Sequence, residues 1–147
     1  MSTKYGFYAQ YGEDVILARI FAGRAKGVAV EVGAFDGVNA SNSYHFERKG
    51  WDCVLVEPNP DLAGLIRQSR PRAQLFECAV GRKYGKMVLQ IPEGDETLAS
   101  LNSNADELRR VASKKTGNRR AADAPEQPIK DIEVAVMPLD DILEKPK

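Results

Sequence analysis

Gly27-Val28-Ala29-Val30-Glu31-Val32-Gly33 is a β-branched run that stops at a glycine, and it constrains the fold more than any other segment. Its near-continuous apolar character fits a strand buried on both faces of a parallel sheet. Parallel strands need long crossovers, normally helical, and the flanking sequence supplies them. Val15, Ile16, Leu17, Ile20 and Phe21 recur at helical spacing between Gly12 and Gly23, with Gly23 as a left-handed cap. Asn39 or Ser41 can cap a helix that runs to Arg48, and Gly50 ends it before the strand Cys53-Val54-Leu55-Val56-Glu57. Asn59 as N-cap and Pro60 as first helical residue open a further helix to Ser69, which Pro71 stops. Strand three follows at Leu75 to Val80. This alternation predicts a right-handed, doubly wound, mostly parallel α/β sheet.

Beyond Gly81 the rhythm changes. Arg82 to Lys86 reads as a turn, and Met87 to Ile91 as a strand folding back in a hairpin. A polar helix is expected from Asn102 to Ala112. Residues 113–127, rich in Lys, Arg, Ala, Gly and Pro without an apolar period, read as a mobile loop. The chain closes with a strand-like Ile132 to Met137 and a short helix over Leu139-Asp140-Asp141-Ile142-Leu143. The expected organisation is one domain over 1–147, with a helical N-terminal region (1–26), a cofactor-binding βαβαβ core (27–81) and a hairpin, loop and strand-helix segment (82–147).

Charge and cysteine count remove several classes of function. The 147 residues carry 21 Lys+Arg against 21 Asp+Glu, and neither the first 60 residues nor the remainder forms a charged tail. No long-range field gathers nucleic acid or an anionic membrane. The pairs Lys114-Lys115 and Arg119-Arg120 could touch phosphate, but a solvated loop has the same composition. Cys53 and Cys78 make neither a disulfide framework nor four zinc ligands, so no metal site is expected. Both lie in apolar strand-like runs and read as inert buried thiols of a reducing, cytoplasmic compartment. No segment reaches the roughly 18 apolar residues of a membrane span.

Chemistry concentrates at two strand ends. In Glu31-Val32-Gly33-Ala34-Phe35-Asp36-Gly37 a strand ends near a carboxylate and turns through two glycines toward a helix. Ligands of open α/β sheets bind beyond the carboxyl ends of the strands, and glycine lets backbone approach them. Glu57 closes the next strand, where a carboxylate can accept bonds from a ribose hydroxyl pair. The turn lacks the Gly-x-Gly-x-x-Gly spacing that holds a pyrophosphate, and the chain has no phosphate loop of the Gly-x-x-x-x-Gly-Lys type. Glu31 and Asp36 would repel phosphate and favour a cation, such as a ligand bearing an ammonium and a sulfonium. Two readings are open for Glu13 and Asp14, since carboxylates also suit a helix N-terminus. His45, the sole imidazole, is a candidate general base or a packing residue. Trp51 reads as a core anchor.

Gln10-Tyr11-Gly12-Glu13-Asp14, Glu31 to Gly37, Ser41-Asn42-Ser43, Gly50-Trp51 and Val56-Glu57-Pro58-Asn59-Pro60, in this order and spacing, resemble the FkbM-type methyltransferases. Ala79-Val80-Gly81, Ala99-Ser100-Leu101 and the Leu139 to Leu143 helix are also similar. The resemblance implies a Rossmann-like, class I fold dependent on S-adenosyl-L-methionine, and O-methylation of a sugar, glycan or secondary metabolite. It places Glu31, Gly33, Ala34, Asp36 and Gly37 in the first cofactor motif, Glu57 with Pro58 at the ribose, and Ala79 and Val80 near the adenine. Gln10, Glu13 and Asp14 match an N-terminal signature over the cofactor. The family continues into a fourth strand, so the resemblance also implies a domain truncated before that strand, with an open sheet edge suited to self-association. A non-catalytic cofactor-binding or interaction module and a dinucleotide oxidoreductase are the alternatives.

Overall fold

The computed structural model describes residues 6–92, 99–101 and 128–144. They divide between two compact units, Met1–Tyr84 with Ala135–Lys147, and Gly85–Val134. In the first unit, α1 (Glu13–Ile20) precedes β1 (Val28–Val32), α2 (Tyr44–Arg48), β2 (Asp52–Val56), α3 (Pro60–Ser69), β3 (Gln74–Phe76) and β4 (Ala79–Val80). Strands β1, β2 and β3 form a parallel sheet in that order, with Val30 opposite Val54 and Leu55 opposite Leu75. The βαβαβ rhythm of the sequence is therefore present.

β2 is central, and its alternate side chains enter two cores. On one face Cys53 and Leu55 meet Ala34, Ile66 and Ala73, with Ala29 and Leu75 packed alongside. On the other, Val56 meets Cys78 and Ile142, with Val54, Phe76, Val80 and Met137 around them. α3, which also buries Leu62 and Ala63, reaches the first face through Ile66, and α4 (Leu139–Leu143) reaches the second through Ile142. Full burial of a side chain such as Ile66 stabilises by about 1.5–3 kcal/mol. Both cysteines are buried free thiols, and burial pushes each thiol's pKa up.

Four expectations need correction. β1 is not buried on both faces: Val28, Val30 and Val32 are 64%, 40% and 54% exposed. Apolar residues occupy both sides of this strand, so its sequence hides which side the helices cover. Strand three is two strands, because the chain leaves β2 after Phe76 and Ala79 and Val80 pair instead with Val136 and Met137 at the end of β6 (Ile129–Met137). β5 (Gly85–Pro92) does not fold back on its predecessor but lies beside β6. In the second unit Lys86 meets Glu133 at 2.7 Å, and Gln90 exchanges two 2.9 Å backbone bonds with Ser100. Finally, α2 begins after Ser43, later than either expected cap. The helix expected at 102–112 and the loop at 113–127 lie outside the described residues.

Local signals place the ends of α3. Pro60 sits at its first position, and buried Asn59 accepts the Asp61 N–H at 3.1 Å through Oδ1. Asn59→Ala should cost about 1 kcal/mol in urea denaturation, whereas Asn59→Asp keeps the acceptor. Equal midpoints for Asn59→Ala and wild type would show that the cap contributes nothing. Near the start of β1, a Cβ on Gly27 would lie 2.5 Å from the Trp51 ring. That ring is buried against Phe46 (centroids 4.8 Å) and Phe21 (5.6 Å), as a core anchor should be.

Candidate functional site

The turn after β1 is built from backbone that few residues adopt. Gly33, Phe35 and Gly37 have φ of 76°, 53° and 81°, and Phe35 lacks the freedom of glycine there. Such a conformation persists only where its surroundings fix it. The Gly33 and Ala34 N–H groups both donate to the Val56 carbonyl, at 2.9 and 3.1 Å, and so tie the turn to the end of β2. The Phe35 N–H donates to Glu57 Oε2 at 2.9 Å, and the Gly37 N–H to the Ala34 carbonyl at 2.8 Å. Asp36 closes the turn from within: Oδ1 accepts the N–H groups of Val38 (2.9 Å) and Asn39 (2.7 Å), the short-range bonding for which Asp suits turns.

Glu57 joins the two strand ends. It is buried, and its second oxygen, Oε1, accepts the Asn59 N–H at 2.9 Å. Burial pushes its carboxyl pKa above the ordinary value, while the Asn59 and Phe35 N–H groups pull it back. Each oxygen carries one donor and keeps a further lone-pair direction. Gly33 is exposed and the space where a Cβ would stand is clear, so a ligand can approach its backbone.

Glu31 turns toward the chain. Ser41 Oγ (2.7 Å) and Ser43 Oγ (2.5 Å) donate to its Oε2, and the Asn42 N–H donates to Oε1 at 2.7 Å. Behind them lies Arg70, its side chain without exposure, 3.7 Å from Glu31 and 2.7 Å from Glu47. Sequence reasoning read Ser41 only as a possible helix cap, placed the Ser41-Asn42-Ser43 triplet in the family pattern without a role at the site, and assigned none to Glu47 or Arg70. The Ser-Asn-Ser triplet was a visible signal; a basic residue before Pro71 reads only as a helix end.

The other expected site residues are dispersed. Ala34 points into the core beside Leu55 and Ile66, and Ala79 is buried in β4 beside half-buried Val80 and not far in sequence from exposed Glu77. Pro58 is half-buried between Glu57 and Asn59. Gln10 is exposed, and Glu13 accepts the Tyr11 N–H at 3.0 Å. Asp14 is fully buried and accepts the N–H groups of Tyr8 (2.5 Å) and Ala9 (3.0 Å), which folds the N-terminal segment back. That segment meets the site's periphery through a parallel bridge between Ala9 and Ala40. His45 is buried against Phe7, at 4.3 Å between centroids, with Nδ1 2.8 Å from the Gly6 carbonyl. Among the described residues no group of three His, Cys, Asp or Glu is placed to hold a metal, and no helix is long and apolar enough to cross a membrane.

The family model for the methyltransferase FkbM domain matches residues 31–147. The chain belongs to this family. The match begins at Glu31, at the end of β1, so the turn, Glu57 and β4 all lie within the FkbM domain, and the Gln10 to Asp14 segment precedes it. No curated protein and no solved structure matches the chain.

Proposed function

We propose that this FkbM domain has a Rossmann-like, doubly wound sheet, binds S-adenosyl-L-methionine at the Gly33 to Gly37 turn and methylates a hydroxyl of a sugar, glycan or secondary metabolite. One observation carries the choice of ligand. The N–H groups of Gly33, Ala34, Phe35, Gly37, Val38 and Asn39 all donate within the chain. A pyrophosphate needs such groups free and aimed outward, so the turn suits a ligand that brings positive charge and hydroxyl donors. Glu31, Asp36 and Glu57 supply acidic surroundings that attract a cation through Coulomb interaction.

The residues fit this ligand as follows. Gly33 lets the backbone approach its methionine part, alongside Asp36 and Glu31, while Gly37, packed against the end of α3, and Ala34, in the core, shape the turn from behind. Glu57, followed by Pro58, offers its remaining lone pairs to a ribose hydroxyl pair, and Ala79 and Val80 serve the adenine end. Gln10, Glu13 and Asp14 hold the N-terminal segment beside the site. The bound cofactor supplies a methyl group on a sulfonium. The chain's task is alignment, and near-attack placement of acceptor and donor can contribute about 7–11 kcal/mol.

Calorimetric titration with S-adenosylhomocysteine tests the reading: saturable binding is expected, and its absence in the folded protein sinks it. The pH profile should identify Glu57. Its ionised form accepts the ribose hydroxyls, and its pKa lies above the ordinary 4.5. Affinity is therefore full above the raised pKa and falls as pH drops through it, by up to about tenfold per pH unit. The decline begins above pH 4.5. A flat profile down to that pH would remove Glu57 from the ribose role.

A further inference from the structure

The turn after β1 is gripped from both ends of α3. At the N-terminal end, Glu57 takes the Phe35 N–H. At the C-terminal end, Ser69 Oγ donates to the Asp36 carbonyl at 3.1 Å and Arg70 Nη1 donates to the Gly37 carbonyl at 3.0 Å. A Cβ on Gly37 would stand 3.3 Å from Arg70 Cδ, Ile66 Cγ1 and Ser69 Oγ, so the turn lies directly against this helix end.

Arg70 does more than touch the turn. Its Nε donates to Glu47 Oε2 at 2.7 Å, and Nη1 also donates to Ser43 Oγ (3.0 Å) and Ser41 Oγ (3.3 Å). Those hydroxyls in turn donate to Glu31, and the guanidinium plane lies over the Tyr44 ring, 5.1 Å from its centroid. One planar cation thus fixes the turn's last carbonyl, the hydroxyls that orient Glu31, and α2 through Glu47. A guanidinium presents several donors in a fixed fork; an ammonium is a point charge that cannot span these partners together.

We propose that Arg70 is a positioning residue for the methyl donor: it holds the Gly33 to Gly37 turn and Glu31 in the ligand-binding arrangement through the geometry of its fork as well as its charge. This rests on the reading of the turn as the cofactor site. Arg70 sets affinity from behind the site, without contact between its own side chain and the ligand.

The test compares wild type, Arg70→Lys and the double variant Ser41→Ala/Ser43→Ala by titration with S-adenosylhomocysteine, at a temperature where circular dichroism shows each folded. Arg70→Lys keeps the charge and loses the fork, so a role limited to charge balance survives this substitution and a positioning role does not. The expected result is a Kd raised about tenfold in Arg70→Lys. A rise of about threefold or more carries the proposal, and a smaller one overturns it. Should Arg70→Lys fail to fold, the serine double variant decides by the same threshold, since it removes the hydroxyl link between Arg70 and Glu31. Wild type that does not bind sinks the cofactor reading and this inference together; wild type that binds with unaffected variants sinks this inference alone.

Discussion

Arg70→Met is expected to cost the folded domain about 3–5 kcal/mol, much of an ordinary domain's total stability. Met fills similar volume, so the loss comes from what it leaves behind. Glu47 and Glu31, with side chains 8% and 12% exposed, would lose their shared cation. The Gly37 carbonyl would lose a donor. An uncompensated buried charge is far costlier than the pair was worth. Exposed Arg67 and Glu77 also form an ion pair, but such pairs contribute about 0–1 kcal/mol because water screens both groups. Urea denaturation followed by circular dichroism measures the Arg70→Met difference; a loss below about 1 kcal/mol would mean that the network is not integral to the fold.

Glu57→Ala should abolish most cofactor binding, raising Kd by about 100-fold or more. Two effects combine. The variant loses up to two charge-assisted bonds to ribose hydroxyls, each worth about 1.5–3 kcal/mol. It also frees the Phe35 and Asn59 N–H groups, which loosens the turn from inside. The second effect costs about 1–3 kcal/mol of stability for each buried N–H left without an acceptor, so the melting temperature should fall too. Titration with S-adenosylhomocysteine reads the first effect and thermal denaturation the second. A Kd within about threefold of wild type would contradict the placement of the ribose at Glu57. Glu57→Gln is no neutral control, since its amide would turn a donor toward one of the two N–H groups.

The sequence carries the local half of this structure. The order of strands and helices, the Asn59 cap, Pro60 at the first position of α3 and the acidic ends of β1 and β2 follow from turn chemistry, β-branched runs and glycine placement. These are features of neighbouring residues. The rest depends on contacts between distant ones. Arg70 reaches a carbonyl 33 positions earlier and a serine 27 earlier, and nothing in Gln68-Ser69-Arg70-Pro71 marks that reach. β5 beside β6 spans a similar distance, as the Lys86 and Glu133 pair, 47 positions apart, shows. The exposed row of Val28, Val30 and Val32 was illegible for another reason. Every position of β1 except Glu31 is apolar, so no alternation distinguishes the covered face from the open one. Glu31 itself was legible as a site residue, but not its capture by Ser41, Asn42 and Ser43.

The aromatic nest at the start of β1 has an optical consequence. Trp51 is the single tryptophan of the chain, so emission excited at wavelengths beyond the tyrosine absorption band issues from one indole, shielded by Phe21 and Phe46. It sits beside Gly27, before β1 begins, whereas the Gly33 to Gly37 turn follows its far end. Five strand residues separate them, about 16 Å of rise. Light from this indole therefore records whether α1 and α2 remain docked, at a place remote from any ligand lying against the turn. The molecule carries its own means of telling disassembly of its packing apart from occupation of its site.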